Sequence, residues 1–150
     1  MHWTCQRFEE LSVRQLYEVL ALRSRVFVVE QNCVFLDIDG LDPLTLHLLG
    51  TGDDGALKAY ARLIPPGLKA ADALIGRVVT SPAARGGGTG RLLMAEAVAQ
   101  CERLWPGAAI TLHAQAHLER FYGSFGFVPV GEPYIEDGIS HIEMRKETHS

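Results

Sequence analysis

A chain of 150 residues and 16.5 kDa has the length of one domain, and a domain of that size buries about 68–70% of its unfolded surface, enough to fold without a metal or disulfide staple. Its 47% hydrophobic and 21% charged residues describe a globular protein and exclude intrinsic disorder. Fourteen Lys and Arg against eighteen Asp and Glu leave a net charge of -4, which argues against nucleic acid or an anionic membrane as partner.

Taken in chain order, residues 3–8 alternate as a short first strand. Ser12 and Gln15 form a capping box, and behind it Val13, Leu16, Tyr17, Leu20 and Phe27 keep helical spacing over residues 13–28. A loop dense in carboxylates comes next, with Asp37, Asp39 and Asp42 around Gly40 and Pro43 closing it. Residues 45–49 and 56–63 read as strands joined through Asp53-Asp54-Gly55, a hairpin signal. Pro65-Pro66-Gly67 breaks the chain before a third apolar, β-branched run at residues 74–80. Beyond a glycine-rich turn, residues 91–105 are helical, with Leu93, Ala97, Cys101 and Leu104 on one face. Residues 109–114 read as a buried strand, 117–125 as a short helix, and Gly126-Phe127 turns into another strand before a last one at 141–145. The order β-α-β-β-β-α-β-α-β-β predicts a single α+β domain over residues 1–150 with a mixed sheet, because hairpins join the middle strands and helical crossovers the later ones.

Residues 1–8 lack the apolar core of a signal peptide. The most apolar runs, residues 13–29 and 73–79, are interrupted by charge or too short for a membrane span. The expectation is a cytoplasmic protein with no membrane partner. Cys5, Cys33 and Cys101 offer no C-x-x-C pair and read as free thiols, with Cys101 on the apolar face of its helix.

Arg85-Gly86-Gly87-Gly88-Thr89-Gly90 lies between a strand and a helix. Glycines let backbone amides converge without a Cβ in the way, and the helix adds free amides and the positive end of its dipole, a setting for an anion such as phosphate. A P-loop is excluded because no lysine directly succeeds the glycines, and the dinucleotide fingerprint because its third glycine position, counted from Gly88 and Gly90, is Leu93. A calcium loop is excluded because the twelfth residue from Asp37 is Leu48. His113 and His117 flank a strand-to-helix break and share no helix face, and HExxH is absent, so no metal is expected.

The segment from Thr80 through Arg85-Gly86-Gly87-Gly88-Thr89-Gly90 resembles the acetyl-CoA loop of the GNAT N-acetyltransferases, Arg/Gln-x-x-Gly-x-Gly/Ala. Downstream, Phe121-Tyr122-Gly123-Ser124-Phe125-Gly126-Phe127 resembles the Tyr-x-x-x-Gly-Phe segment of that family. Over nearly the whole chain, Trp3, Val26 through Gln31, Cys33, the Asp37–Asp42 loop, His47, Ala114-Gln115 and Glu136 through His141 are similar to its bacterial ElaA-type branch. The resemblance implies a mixed, V-splayed sheet of about six or seven strands flanked by helices, with acetyl-CoA between the strand ending at Thr80 and the strand ending at Ala114. It further implies that main-chain groups of Val78, Val79 and Thr80 hold the pantetheine arm and acetyl carbonyl, that amides of Arg85, Gly86, Gly87, Gly88, Thr89 and Gly90 cap the pyrophosphate, and that Gln115 stands where the family often has an Asn steadying the cofactor. A homodimer is common in the family.

In that family an amine attacks the thioester directly. An alkylammonium of pKa ~10.4 must lose a proton to react at pH 7, about 4.6 kcal/mol at equilibrium, whereas protonating a thiolate of pKa ~8.5 concerns about 2 kcal/mol. Tyr122 matches the family's tyrosine, and its phenol can serve as the acid. Glu30, His47 and His141 are the base candidates, the histidines because they titrate nearest neutrality. Carboxylates at Asp37, Asp39, Asp42, Glu136 and Asp137, if they rim one pocket, favour a cationic amine, while Arg77, Arg85 and Arg91 around the glycine turn favour the anionic cofactor. The expectation is an acetyl-CoA-dependent N-acetyltransferase acting on a primary amine. The competing reading is a non-catalytic module that binds acyl-CoA or serves as an interaction domain.

Overall fold

The computed structural model describes residues 1–148. Strands β1 (His2–Arg7), β2 (Leu46–Thr51), β3 (Leu57–Ile64), β4 (Ala73–Thr80), β5 (Ile110–Gln115), β6 (Val128–Glu136) and β7 (Ile139–Lys146) form one mixed sheet of order β1-β2-β3-β4-β5-β7-β6. Helices α1 (Val13–Arg23), α2 (Thr89–Leu104) and α3 (Glu119–Gly123) connect them in the predicted order. β1 to β4 are antiparallel neighbours, and α2 makes the crossover that sets β5 parallel to β4. The β6–β7 hairpin turns on Asp137 and Gly138, both at positive φ (51° and 76°), the requirement of a two-residue primed turn.

The two faces of the sheet differ in what they bury. On the α2 face, Leu48, Ala61, Leu63, Ile75, Leu112 and Met144 pack against Leu93, Met94, Ala97 and Cys101, so the Cys101 thiol is core. On the α1 face, Leu49, Tyr60 and Val79 pack against Val19, Leu22 and Val26.

Helix α1 departs from the expectation in two ways. It gives way at Ser24 to a π-helical stretch, Ser24–Glu30, before the predicted end. Its buried face is Val19, Leu22, Arg23 and Val26, whereas Val13 and Tyr17 are 88% and 76% exposed. Of the apolar residues counted from Val13, Leu16 and Leu20 are half-buried and Phe27 packs against this core, while a buried arginine stands among the residues that face it. Arg23 is wholly buried, donating from Nε to Asp37 and from Nη1 to Asp42 at 2.8 Å each. Fully paired, its charge is tolerated inside.

Those bonds also recast the carboxylate loop. Arg62 donates to Asp39 and Asp42 at 2.7–2.9 Å, and Arg77 to Asp37 at 2.7 Å. Three arginines thus neutralise three aspartates, and Asp37 and Asp42 are buried. The loop does not present three free carboxylates to one pocket: Asp39 alone of them reaches the cavity described below, neutralised there by Arg62 and Arg77, and Arg77 is bound to these aspartates and not to a cationic cluster at the glycine turn. The ion pairs instead strap residues 37–42 to α1, β3 and β4.

Candidate active site

β4 and β5 begin as neighbours and part. Their parallel register covers Ala73 with Ile110 and Leu74 with Thr111 alone. Beyond it β4 carries an extra residue against β3, between the pairs Tyr60–Val79 and Arg62–Gly76, and Arg77 there stands at φ 51°. A bulge of this kind bends its strand and increases local twist. The β5-facing main-chain groups of residues 75–80 are left without a strand partner, and buried amides in that condition need one.

Into this splay opens a cavity of about 770 Å³. One wall is residues 74–80, with Val78, Val79 and Thr80 as expected; the other carries Leu112, Gln115, Leu118 and Tyr122. Phe27, Cys33 and Phe35 close it from the segment after α1, and Tyr134, Glu136, Asp137, Ile139 and His141 from the β6–β7 hairpin. These two sides touch where the Cys33 thiol donates to the Asp137 carbonyl at 3.5 Å.

Arg85 lines the cavity, and the glycine turn continues from it. Gly86 and Gly88 take φ of +87° and +81°, and Gly88 is the residue before the first turn of α2. The amide of Leu92 is the first to find a helical acceptor, Gly88 O, so the amides of Thr89, Gly90 and Arg91 remain open at the positive end of the helix dipole. Arg91 lies over the rings of Phe121 and Phe125, at 5.9 and 5.3 Å from their centroids.

Of the four candidate acid–base residues, the structure brings two to the cavity. Tyr122 is buried beside Phe121 and Phe127 and lines the wall; burial pushes its phenol up to about 12, so the hydroxyl keeps its proton at neutral pH. His141 lines the hairpin side, and its Nδ1–H donates to Ile139 O at 2.7 Å, which leaves Nε2 as a bare acceptor. His47 lies elsewhere. It is wholly buried on the α1 face, its Nε2–H donating to Asp42 O at 2.9 Å and its Nδ1 accepting from Tyr60 Oη at 2.7 Å. With both nitrogens engaged and no place in the cavity wall, it holds the Asp42 loop and is not a base. Glu30 is half-exposed outside the cavity wall and pairs with Arg85 at 2.5 Å, so it tethers the π-helical stretch to the glycine turn.

Sequence reasoning missed Tyr134, and it weighed His113 only as a metal ligand; both line the cavity. The signal available was the alternation of residues 139–146 with their cross-strand partners, which needs the β5-β7-β6 order to be read.

A strand edge left open by a bulge, facing a cavity that runs to a glycine-capped helix start, is the architecture of an acyltransferase that uses acyl-CoA. The chain belongs to the GNAT acetyltransferase family, since residues 46–148 match the family model described as the acetyltransferase (GNAT) domain. Protein ElaA of Escherichia coli K12 is 49% identical over 150 residues, covering 98% of this chain and 97% of the relative. The crystal structure of E. coli ElaA superposes with a TM-score of 0.91 at 47% identity, over 97% of this chain and 99% of that one. An acyl-CoA N-acyltransferase from Pseudomonas aeruginosa gives a TM-score of 0.92 at 47% identity, with the same coverage. Among the described residues, no helix is long and apolar enough to cross a membrane.

Proposed function

We propose that the protein transfers an acetyl group from acetyl-CoA to a primary amine by direct attack, within one GNAT domain. The observation that carries this reading is the open β4 edge beside Tyr122. Pantetheine contains amide groups spaced along an extended arm, and an unpaired strand edge supplies alternating donors and acceptors in the same direction. Main-chain groups of Val78, Val79 and Thr80 hold that arm and polarise the acetyl carbonyl, and Gln115 faces it from β5. The amides from Arg85 to Gly90 take the pyrophosphate, with Arg85 supplying charge.

The acid–base roles rest on the proton inventory. Tyr122 is a donor at neutral pH and gives its proton to the departing thiolate. His141 Nε2, bare because Ile139 holds the other nitrogen, removes the proton of the amine. Glu136 and Asp137, the carboxylates at the cavity that no arginine pairs, favour a cationic acceptor.

Free-thiol release from acetyl-CoA, measured across a panel of amines, amino sugars, peptides and polyamines, tests the reading. Amine-dependent release is expected. Acetyl-CoA binding without release under any amine would leave a binding module, and absence of binding would remove both.

A further inference from the structure

β5, β7 and β6 carry a polar group at the cavity of which the acyl transfer has so far used only His141. Tyr134 and His141 are cross-strand partners, as are His113 and Glu143. Residues two apart on a strand share a face, so His141 and Glu143 lie on one side of β7 and bring their partners together there. Tyr134 Oη lies 2.7 Å from His113 Nδ1. The Tyr134 ring stacks on that of His141, with centroids 5.9 Å apart and planes 23° apart. All three side chains line the cavity.

The position of the hydrogens gives this group a polarity. The tautomer with the ring proton on Nε2, on the side of Glu143 Oε1 3.9 Å away, leaves Nδ1 as an acceptor. In that tautomer Tyr134 donates its phenolic proton to His113. Burial, then the carboxylates of Glu136 and Glu143, pushes that phenol up, so the proton is present to be donated. Tyr134 Oη is left with lone pairs toward the cavity. His141 reaches the same condition independently, because Ile139 O engages its Nδ1–H at 2.7 Å. Two neighbouring side chains, each with its polar hydrogen already bonded to protein, make a surface that accepts and does not donate.

We propose that Tyr134 Oη and His141 Nε2 form the binding site for the primary ammonium group of the acceptor, and that His113 sets its polarity by holding the Tyr134 proton. An ammonium brings three donors and no acceptor, the same inventory as a lysine side chain. A hydroxyl brings one donor with lone pairs that repel those of the site, and a tertiary ammonium brings one donor with added bulk. Tyr134 and His113 are thereby specificity residues of the acyl transfer proposed above, on which this inference rests.

Calorimetric titration of the CoA-saturated protein with hexylamine, N,N-dimethylhexylamine and hexanol separates the two. Hexylamine is expected to bind at least ~10-fold more tightly than either analogue, the scale of one hydrogen bond to a charged group. Tyr134→Phe keeps the ring on His141 and removes the lone pairs; it is expected to weaken hexylamine by ~10-fold while CoA affinity holds. His113→Phe releases the phenolic proton into the cavity and narrows the gap between hexylamine and hexanol. A wild-type complex that takes hexylamine no better than hexanol overturns the proposal, and so does Tyr134→Phe binding hexylamine as tightly as wild type. Failure of the unmutated protein to bind CoA is a different result, and overturns the acyl-CoA reading instead.

Discussion

Identical side chains at His47 and His141 are set to different work by one carbonyl each. At His47, Asp42 O accepts the Nε2 proton and Tyr60 fills Nδ1, in a wholly buried site; at His141, Ile139 O accepts the Nδ1 proton and Nε2 is left over. The variants should therefore separate. His141→Gln is expected to lower kcat/KM by ~10²–10⁴-fold, the scale of a general base, with little change in thermal stability. His47→Leu should spare kcat and lose ~1–3 kcal/mol in urea unfolding, because Tyr60 Oη is left buried without its partner and Asp42 O keeps only its longer bonds from Thr45. Tyr122→Phe removes one hydroxyl from a packed aromatic cluster, so turnover should drop at least ~10-fold with acetyl-CoA affinity unchanged in a binding titration. Unchanged turnover would take Tyr122 out of the mechanism. Tyr122 was visible from its motif, and the histidines from their residue type. What no spacing could supply was which histidine lay inside the core, since that depends on Tyr60 and Asp42 arriving from distant segments.

At the level of elements, the strand and helix order was legible because each period was unbroken by function. The glycine turn was legible because Gly86 and Gly88 hold conformations that few other residues adopt. Helix α1 was misread where its sequence breaks the binary pattern: Arg23 stands on the buried face, and the π-helical stretch shifts the phase of residues 24–30. The β4 bulge was also invisible, since Arg77 at φ 51° carries no glycine to announce it. The turn itself can be tested by contrast. A Cβ at Gly88 would meet open space, yet the residue sits at φ +81°; a Cβ at Gly87 would meet the same open space without that constraint. Gly88→Ala is expected to cost ~1–2 kcal/mol in stability and to raise the KM for acetyl-CoA, because the first-turn amides of α2 are re-aimed. Gly87→Ala should leave thermal stability unchanged. Equal melting temperatures for the two variants would show that the turn does not depend on the left-handed residue.

For the whole molecule, the net charge of -4 includes a buried set of arginine–aspartate pairs between α1, β3, β4 and residues 37–42, and these with His47 give its stability a particular pH dependence. Burial pushes the His47 imidazole below its ordinary value, against the opposing effect of its hydrogen bond to Asp42 O. An unfolded chain binds that proton near pH ~6.5 while the folded one does not, so stability declines as pH falls below that value and until the folded imidazole protonates. At Asp42, burial alone would raise the carboxyl, but the hydrogen bond and charge of Arg23, then those of Arg62, hold it below the usual carboxylate range. At Asp39 burial is again outweighed, by Arg62, the Leu41 amide and Arg77, and the carboxyl is held down in the same sense. Their contribution is intact above the unfolded carboxylate value of ~3.9 and is lost as pH falls through the lower folded values. Urea unfolding across pH should accordingly show a plateau above ~7, a first decline below ~6.5 and a second below ~4. Because the carboxylates and arginines are largely enclosed, the second step should persist at raised salt, where exposed pairs such as Arg85–Glu30 are screened. His47→Leu should abolish the first step and keep the second. A single acid transition in the wild type, or a first step that survives in His47→Leu, would show that the buried network between α1 and the sheet does not govern acid stability.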